Sequence, residues 1–472
     1  MKKIILENKL TFILFLGAHL LAIFFTQGHL HPDEHFQILE FLNFKLNHSP
    51  ASDLPWEYHQ QMRSWFLPFI YYIISKIFIS FNIISFFIHT FFFKSISVAL
   101  GIWATLSSLE HFLPTVPAKF QKSFINLTTL LWFLPFIHSR ISTEAISSSI
   151  LLLGIIFSLK NTPKKQLVGG LMLGLAFIIR FQIVFIIFPF LCFNSRNGKL
   201  ILRLLMGILS AYVIGFFINW WGYGKPVFVE WNYIYQNIFL NKAQNYGVSP
   251  WWSYFIDLHK KIIPPLGIII IISTLYYWIK FRKELITWIT LPFFIIHCLI
   301  GHKEWRFLIP LAPFLPIILI KILEILPSKL NRKIIILPIL LINIVFLFIS
   351  VTRSAHPSFQ FYQYINAHTY KQIFYRGEEN PYFIHQLKVN YYNISTYHAS
   401  LFENNPNALE KPLFVSSYQD YQFLKEEKKC ELLYSENPSS IMSILKDIPF
   451  AFIKKQLNRS KHWALFNCPE KI

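Results

Sequence analysis

The sequence predicts a polytopic α-helical membrane protein, because of its composition, its long apolar runs and the placement of its basic residues. Of its 472 residues, 54% are hydrophobic and only 14% are charged. Apolar runs such as residues 262–277, 307–326 and 334–351 reach or approach the roughly 20 residues with which a helix crosses a bilayer. A soluble protein of this length carries more charge and fewer such runs.

The positions of the basic residues predict in which direction many of these runs cross the membrane. The formal net charge is +20, but lysines and arginines form short clusters between apolar runs instead of one patch with interleaved aromatic residues. This distribution argues against nucleic-acid binding and follows the positive-inside rule of membrane proteins. Because basic residues precede the first apolar run and no small-residue cleavage site follows it, we expect an uncleaved first helix with a cytoplasmic N-terminus. The clusters predicted to be cytoplasmic are residues 160–165, 194–203, 280–283 and 329–333.

From these clusters each segment can be followed in order. Residues 10–27 are predicted to cross outward, so that the loop 28–64 is extracytoplasmic, as is the aromatic loop 219–261. Residues 66–112 hold short apolar pieces whose crossings the charge pattern does not fix. The whole pattern predicts roughly 11–13 transmembrane helices. The remaining apolar segments are 122–138, 145–159, 166–193, 204–218, 262–279, 285–301, 307–326 and 334–352.

Two domains follow from this topology. Residues 1–352 are predicted to form the transmembrane domain, and residues 353–472 a small extracytoplasmic α/β domain, because the tail is polar and mixes short β-like runs with Lys/Glu-rich stretches. Cys430 and Cys468 both lie in this tail and could pair there, although two free thiols fit the sequence equally well. No CxxC or Cys/His spacing predicts a metal site.

An acidic stretch directly follows the first apolar segment. It reads His31-Pro32-Asp33-Glu34-His35-Phe36-Gln37. Solvated acids near a membrane are ordinary, but a paired acid flanked by His and Pro at a helix end is less so. An enzyme that acts on a lipid-linked substrate would hold its general base at such a place.

Many other polar residues beside apolar runs are predicted on the same, outer side. Charges at a membrane edge are costly and usually serve a function, so the set predicts an active-site cavity open to the outer leaflet. The alternative is a set of interfacial helix caps and salt bridges. The residues are His31, Asp33, Glu34, Arg63, Arg140, Glu144, Arg180, Gln182, His302, Lys303, Glu304 and Arg306.

Each motif in this set also has an ordinary reading. Arg63 could bind a lipid phosphate bidentately or simply snorkel to the surface. Arg140 and Glu144 are spaced to pair with each other along a helix. The cluster 302–306 could neutralise a phosphate leaving group or form a helix-end ion cluster. The aromatic residues of 219–252 suit a sugar or a polyprenyl chain, and suit a membrane interface equally well.

Taken in order, these motifs resemble glycosyltransferase family 22, the polyprenyl-phosphate-sugar-dependent mannosyltransferases. The resemblance covers about residues 10–320, and its first and last runs are the most specific. It departs from the family at Asn219, because family members usually have an Asp shortly before the Tyr-Gly of the outer loop. It also departs around Arg140, where the family's Asn-Ser/Thr pair does not occur in its usual form. The matching runs are His31–Gln37; Trp56, Glu57, Arg63, Ser64 and Pro68; Arg140 and Glu144; Arg180–Gln182; Tyr223-Gly224; Tyr246-Gly247, Pro250 and Trp251; and His302–Phe307.

The resemblance implies a GT-C fold and an inverting transfer of a sugar, with mannose favoured, from a polyprenyl-phosphate donor to a lipid-linked glycan or glycolipid. No metal or other cofactor is expected. Asp33 would act as the base and Glu34 would position it, although the two roles could be exchanged. The donor phosphate would be bound by Arg63, His302, Lys303 and Arg306. The implied substrate-binding residues are His31, Trp56, Glu57, Arg140, Glu144, Arg180, Gln182, Tyr223, Tyr246, Trp251 and Glu304.

Two other functions fit the sequence less well. Another GT-C enzyme, which adds an aminosugar to lipid A or mannose to protein, would not be expected to carry the runs at 56–63 and 302–306. A lipid or polysaccharide transporter would be expected to show repeated halves with broken helices, and no repeat is apparent. The composition favours a bacterial inner membrane with the active site facing the periplasm; a eukaryotic member would lie in the endoplasmic reticulum.

Overall fold

The chain folds into two compact units in a computed structural model. The first comprises Met1–Thr26, Trp56–Phe81 and His89–Arg353, and the second comprises Gln27–Pro55, Asn82–Ile88 and Ser354–Ile472. Parts of the predicted tail domain, including residues 437–460, lie outside the described residues. The structure describes residues 2–263, 265–325, 332–368, 370, 372–377, 380–384, 386–392, 398–401, 412–436 and 461–468.

The first unit is helical. One of its helices, Phe86–Phe112, begins in the second unit. The other α-helices are Lys2–Glu7, Lys9–Phe25, Trp56–His59, Phe66–Ser80, Ala118–Leu130, Phe133–His138, Thr143–Ser158, Pro163–Ile179, Val184–Phe193, Gly198–Tyr223, Val229–Ile234, Ser253–Lys261, Leu266–Lys280, Leu285–Leu299, Leu315–Ile325 and Arg332–Thr352. Short 3₁₀ and π turns lie at Leu113–Thr115, Phe181–Ile183, Tyr235–Phe239, Lys242–Tyr246 and Trp305–Phe314.

Among the described residues, three helical stretches are long and apolar enough to cross a membrane: Phe86–Thr115, Gly198–Tyr223 and Trp305–Ile325. The predicted total of spans stays a prediction, because the other apolar helices are shorter than a full crossing. These shorter helices are Lys9–Phe25, Phe66–Ser80, Thr143–Ser158, Phe181–Phe193, Leu266–Lys280, Leu285–Leu299 and Pro338–Thr352.

Local sequence explains where several of these helices begin and how they pack. The Asn197 side chain accepts a hydrogen bond from the Leu200 N–H (3.1 Å) and so caps the helix Gly198–Tyr223. This helix packs closely on the helix Pro163–Ile179, and the glycine at 207 allows this approach. A Cβ added at Gly207 would lie only 2.4 Å from the Leu167 carbonyl oxygen. Small residues at such contacts let membrane helices approach closely.

The second unit combines short helices with a mixed sheet. The strands are β1 (Gln372–Arg376), β2 (Phe383–Ile384), β3 (Leu387–Lys388), β4 (His398–Leu401), β5 (Leu413–Ser417), β6 (Glu431–Ser435) and β7 (Lys461–Asn467). Five of them form a sheet with the order β4-β1-β5-β7-β6, in which β1 is parallel to β4 and β5, and β7 is antiparallel to β5 and β6. A disulfide joins Cys430 to Cys468, which resolves the two possibilities left by the sequence in favour of a bond. The helical turns are Pro32–Glu34, His35–Leu39, Glu40–Lys45, Ala51–Asp53, Ser358–Ala367, Tyr418–Gln422 and Phe423–Glu427.

Candidate functional site

The acidic stretch of the second unit begins a helical turn. His31 is its N-cap, because its Nδ1 accepts a hydrogen bond from the Asp33 N–H (3.2 Å), and Pro32 occupies the first helical position, where its missing N–H costs nothing. The Asp33 carboxylate lies 3.4 Å from the same His31 nitrogen, and 27% of its side-chain surface is exposed. The structure therefore brings His31 and Asp33 together and leaves the Asp33 carboxylate partly accessible.

Glu34 has a different environment from its neighbour. It is only 3% exposed, and its Oε2 accepts a hydrogen bond from the Leu30 N–H (2.9 Å). This bond ties the carboxylate back to the chain just before the turn. The two adjacent acids thus differ in accessibility, which the sequence does not reveal.

A π-helix, His35–Leu39, follows the acids and creates a contact that the sequence reading missed. Because a π turn brings residues five apart together, the His35 Nε2 lies 2.7 Å from Glu40 Oε1. The same Glu40 oxygen accepts hydrogen bonds from the N–H groups of Asn390 (2.7 Å) and Tyr391 (2.9 Å). Glu40 thereby anchors the acidic stretch to the tail segment of the same unit. An α-helical reading of the spacing gives no signal for this pair.

A buried ion cluster lies in the first unit, around Glu144. The Ser142 side chain caps the helix Thr143–Ser158, which places Glu144 in its first turn. Glu144 Oε1 accepts hydrogen bonds from Nη1 of both Arg180 (2.9 Å) and Arg306 (2.8 Å), and all three side chains are less than 10% exposed. The structure thus joins three residues that lie far apart in the sequence.

The ion cluster continues from Arg306 towards the surface. Arg306 Nε donates to Glu304 Oε2 (2.5 Å), and Glu304 Oε1 lies 2.9 Å from His302 Nε2. The hydrogen bond to Glu304 raises the pKa of His302 above its ordinary value of 6.5. Burial lowers the pKa of Lys303, whose ammonium group donates to the Ser249 carbonyl (2.9 Å) and to the Ile300 carbonyl.

Arg140 contacts the carboxyl end of the helix Lys9–Phe25. Its Nη2 donates to the carbonyl and the hydroxyl of Thr26, with 2.6 Å to the hydroxyl. Lys94, a buried lysine to which the sequence reading gave no role, donates to the Ile23 (3.0 Å) and Thr26 (2.9 Å) carbonyls. Two cations at a helix carboxyl end stabilise its unpaired carbonyls and its dipole.

A third group surrounds Arg63. Its Nη2 lies 3.4 Å from Glu57 Oε1, and the Tyr223 hydroxyl donates to its carbonyl oxygen (2.9 Å). The guanidinium lies over the ring of Tyr233, to whose hydroxyl Gln182 is hydrogen bonded. Close by in the sequence, the Trp65 N–H donates to Asn219 Oδ1 (2.9 Å). Asn219, where the sequence departs from the family pattern, therefore accepts a hydrogen bond from the main chain. A carboxylate at this position could accept the same bond.

The outer loop supplies the remaining aromatic candidates. The rings of Trp56 and Tyr246 are stacked with centroids 6.4 Å apart, and the Lys242 ammonium lies 5.4 Å from the Trp56 ring. Trp251 is 59% exposed and packs edge-on against Trp252. Lys242 was not among the residues selected from the sequence. Within the described ranges, no group of three or more His, Cys, Asp or Glu side chains is arranged to hold a metal ion.

Comparison with known proteins identifies the family. The family model for the Alg9-like mannosyltransferases matches residues 10–393. The chain is 24% identical over 298 residues to GPI alpha-1,2-mannosyltransferase 3 of Danio rerio, which covers 60% of this chain and 53% of the relative. It is 28% identical over 117 residues to the probable Dol-P-Man:Man(7)GlcNAc(2)-PP-Dol alpha-1,6-mannosyltransferase of Schizosaccharomyces pombe, covering 25% and 21%. The chain spans about half the length of the curated relatives that it matches most extensively.

The fold has a solved counterpart. The structure matches ArnT from Cupriavidus metallidurans, solved bound to undecaprenyl phosphate, with a TM-score of 0.53, 9% sequence identity and 98% coverage of both chains. This similarity confirms the predicted GT-C fold class, and the names of the relatives agree with the predicted enzyme class. The family prediction is confirmed as well, since the matching model covers most of the sequence: the chain belongs to the Alg9-like mannosyltransferase family.

Proposed function

We propose that the protein is an inverting glycosyltransferase that moves mannose from a polyprenyl-phosphate donor to a lipid-linked glycan or glycolipid at the extracytoplasmic face of its membrane. The observation that carries the proposal is the contrast between the two acids of the motif. Asp33 is partly exposed beside His31, whereas Glu34 is buried against the main chain. Only an accessible carboxylate can take a proton from an incoming hydroxyl, so Asp33 is the base and Glu34 positions the turn.

The reaction is a single displacement. As the acceptor oxygen attacks the anomeric carbon, Asp33 removes its proton, and the bond to the donor phosphate breaks on the opposite face. One base suffices for such an inversion, because no covalent sugar intermediate has to form. The phosphate leaves with its negative charge, so fixed cations that meet this charge lower the barrier.

The donor phosphate is assigned to Arg63, His302, Lys303 and Arg306, as the resemblance implies. Arg306 already contacts two carboxylates, Glu144 and Glu304, so its charge is shared. Counting the cations Arg180, Arg306 and Lys303 against these two carboxylates leaves a formal charge of +1 (3 − 2), before any protonation of His302. This excess supports an anionic ligand.

The other candidate residues either contact the sugar or hold neighbouring side chains of the site in place. The stacked Trp56 and Tyr246 rings suit the face of a sugar, with Trp251 further along the same loop. The supporting residues hold the groups described above in place, through the contacts already given. They are His31, Glu57, Arg140, Glu144, Arg180, Gln182, Tyr223 and Glu304.

The extracytoplasmic orientation is supported by the Cys430–Cys468 disulfide, since such bonds persist in oxidising compartments. The outer side would be the periplasm in the predicted bacterial inner membrane, or the lumen in an endoplasmic reticulum.

A transfer assay tests the proposal. Purified protein in lipid nanodiscs is given polyprenyl-phosphate [³H]mannose and extracted membrane glycolipids, and label in the glycolipid fraction is counted. We expect incorporation with the wild-type protein and with Asp257→Asn, an acid outside the proposed site, but not with Asp33→Asn. In a parallel experiment the protein is placed in sealed vesicles, where movement of the donor across the membrane without incorporation of label would instead indicate a transporter.

A further inference from the structure

The helical unit contains a small cavity between its helices. The cavity is lined by residues of Phe86–Phe112, Ala118–Leu130, Phe133–His138, Thr143–Ser158 and Trp305–Ile325. The volume open to the centre of a water molecule is about 10 Å³. This is close to the least volume that holds one water, and it is too small for a sugar or a lipid headgroup. Most of the wall is apolar, so its few polar side chains decide what the cavity can hold.

A pair of buried histidines ends at this cavity. His19 is 1% exposed; its Nδ1 lies 2.8 Å from the Phe15 carbonyl oxygen and its Nε2 lies 3.0 Å from Nδ1 of His138. The two imidazole rings are stacked, with centroids 5.3 Å apart. Gly101 makes room for this arrangement, because a Cβ at that position would collide with the His138 ring. His138 itself lines the cavity.

The hydrogen bonds determine which ring nitrogens carry the protons. Both rings are buried side by side, where a charged ring would be costly, so each is neutral. The Phe15 carbonyl can only accept, so Nδ1 of His19 is protonated and Nε2 of the same ring accepts from His138. His138 therefore carries its proton on Nδ1 and has a lone pair on Nε2. In the part of the chain that the structure describes, no residue is hydrogen bonded to this Nε2.

The hydroxyl groups of the wall complete the pattern. Thr105 donates to the Gly101 carbonyl (2.8 Å), and Thr128 donates to the Phe124 carbonyl (2.8 Å). Both hydroxyl hydrogens are thus used within their own helices, and only oxygen lone pairs remain. Ser108 is 2% exposed, and its Oγ has no hydrogen-bond partner among the described residues. The wall therefore offers lone pairs together with one hydroxyl that can donate.

A water molecule matches this set of groups. It can donate to His138 Nε2 and to a hydroxyl oxygen of the wall, and it can accept from Ser108, which gives the three hydrogen bonds typical of buried water. The described lining residues include no carboxylate, so a metal cation would find too few suitable ligands. Holding a water in place costs less free energy than leaving a buried acceptor without a hydrogen bond.

We propose that the cavity binds one water molecule, which donates to Nε2 of His138 and completes a hydrogen-bond chain from Phe15 through His19 and His138. The chain does not conduct protons, because the Phe15 carbonyl at its far end cannot pass one on. It instead holds each imidazole in a single tautomer and links the helix Lys9–Phe25 to the helices around the cavity. This role does not depend on which sugar the protein transfers.

Solid-state NMR of the full-length protein in lipid bilayers tests the water site. The histidines are labelled with ¹⁵N, and the signals of His138 and His19 are assigned by their loss in His138→Gln and His19→Gln. We expect His138 to have a protonated Nδ1 and a bare Nε2, with magnetisation transfer from water protons to Nε2. His297 is the reference for this tautomer, because its Nδ1 also lies 2.8 Å from a main-chain carbonyl oxygen, that of Phe293.

Two results of this measurement would overturn the proposal. A proton on Nε2 of His138 would contradict the hydrogen-bond chain, and a bare Nε2 that receives no magnetisation from water would show that the cavity is dry. Either result refutes the bound water and leaves the proposed transfer of mannose standing, because no residue of the chain has a part in that reaction.

A substitution that fills the cavity provides a second measurement. Ser149→Thr adds one methyl group, of about the size of a water molecule, at the cavity wall. If water is bound, the methyl group displaces it and His138 loses its donor, so the water transfer disappears and the apparent melting temperature falls by a few degrees. Ser210→Thr is the control, because Ser210 bonds its own helix in the same way at an exposed position. A rise in melting temperature with Ser149→Thr, as expected when a dry void is filled, would contradict the bound water.

Discussion

The central carboxylate of the buried ion cluster gives the sharpest prediction about stability. In Glu144→Gln, the amide keeps the shape of the side chain but loses its charge, while Arg180 and Arg306 remain less than 10% exposed. In the wild-type protein, both arginines donate hydrogen bonds to the same Glu144 oxygen, at 2.9 and 2.8 Å. The substitution therefore weakens two charge-assisted hydrogen bonds and removes the charge that separates two buried cations.

The expected magnitude follows from these contacts. Breaking a buried ion pair by removing one partner costs about 3–5 kcal/mol, because a charge is left uncompensated. Arg306 retains Glu304 at 2.5 Å, so the loss should fall near the lower end, about 3 kcal/mol. For a chain of this size that corresponds to a decrease of several degrees in the apparent melting temperature.

The assay is thermal unfolding of the purified protein in detergent, followed by intrinsic tryptophan fluorescence. Glu7→Gln is the control, because the Lys3–Glu7 pair is exposed and exposed pairs contribute little. The double variant Glu144→Gln with Arg180→Gln should be less destabilised than the sum of the two single variants, since one of the stranded cations is gone. An unchanged melting temperature for Glu144→Gln, or strictly additive effects, would refute the cluster as described.

Three further predictions concern the acid pair, the disulfide and the outer histidine. Asp33→Asn should reduce mannose transfer by about a hundredfold to ten thousandfold while polyprenyl-phosphate binding persists, whereas Glu34→Gln should mainly lower stability; comparable transfer by Asp33→Asn and wild type would exclude Asp33 as the base. Cys430→Ser should destabilise the tail by about 2–5 kcal/mol and make it more sensitive to protease, with no change expected in the helical unit; equal protease sensitivity would contradict a structural disulfide. The pKa of His302 is raised in the folded protein, so its stabilising contribution is complete below 6.5 and is lost as pH rises through the raised pKa. The difference in melting temperature between wild type and His302→Gln should therefore shrink as pH increases, and a difference that grows with pH would contradict the bond to Glu304.

The sequence was sufficient for the class of fold and for the family, because both depend on long patterns. Apolar runs with basic clusters predict membrane helices without any knowledge of their packing. The motifs of the resemblance likewise lie in single short runs, so each can be read locally. The assignment of polar residues to one side of the membrane rests on the same charge pattern and stays a prediction.

Pairings between distant residues could not be read in this way. Glu144 contacts Arg180 and Arg306 only because three separate helical elements meet there, and their relative rotation is decided by packing. The sequence suggested a local partner for Glu144, Arg140, since four residues separate them. Arg140 instead contacts Thr26, which directly follows the helix Lys9–Phe25. A regular periodicity describes one helix and says nothing about its neighbours.

Conformational details of single turns were equally hidden. The left-handed dihedral angles of Asn241 and Gly247 come from the local chain path, and both residue types are common in ordinary turns. The choice between two free thiols and a bond at Cys430 and Cys468 required the antiparallel pairing of β6 and β7. In both places the residues are compatible with several structures, and the surrounding fold selects one.

The π-helix His35–Leu39 takes up one extra residue within the acidic stretch. A π turn accommodates one more residue than an α turn, so deletion of a residue such as Ile38 would let the segment close into a continuous α-helix. The residues on either side would keep nearly the same relative orientation, because the π turn covers its extra residue in about the same rotation as an α turn. Asp33 would therefore keep its direction, whereas a one-residue deletion in a plain α-helix would rotate the preceding residues by roughly 100° about the helix axis. A relative with a plain α-helix here should therefore be aligned with a one-residue gap inside the turn, because an ungapped comparison would equate residues that face different ways.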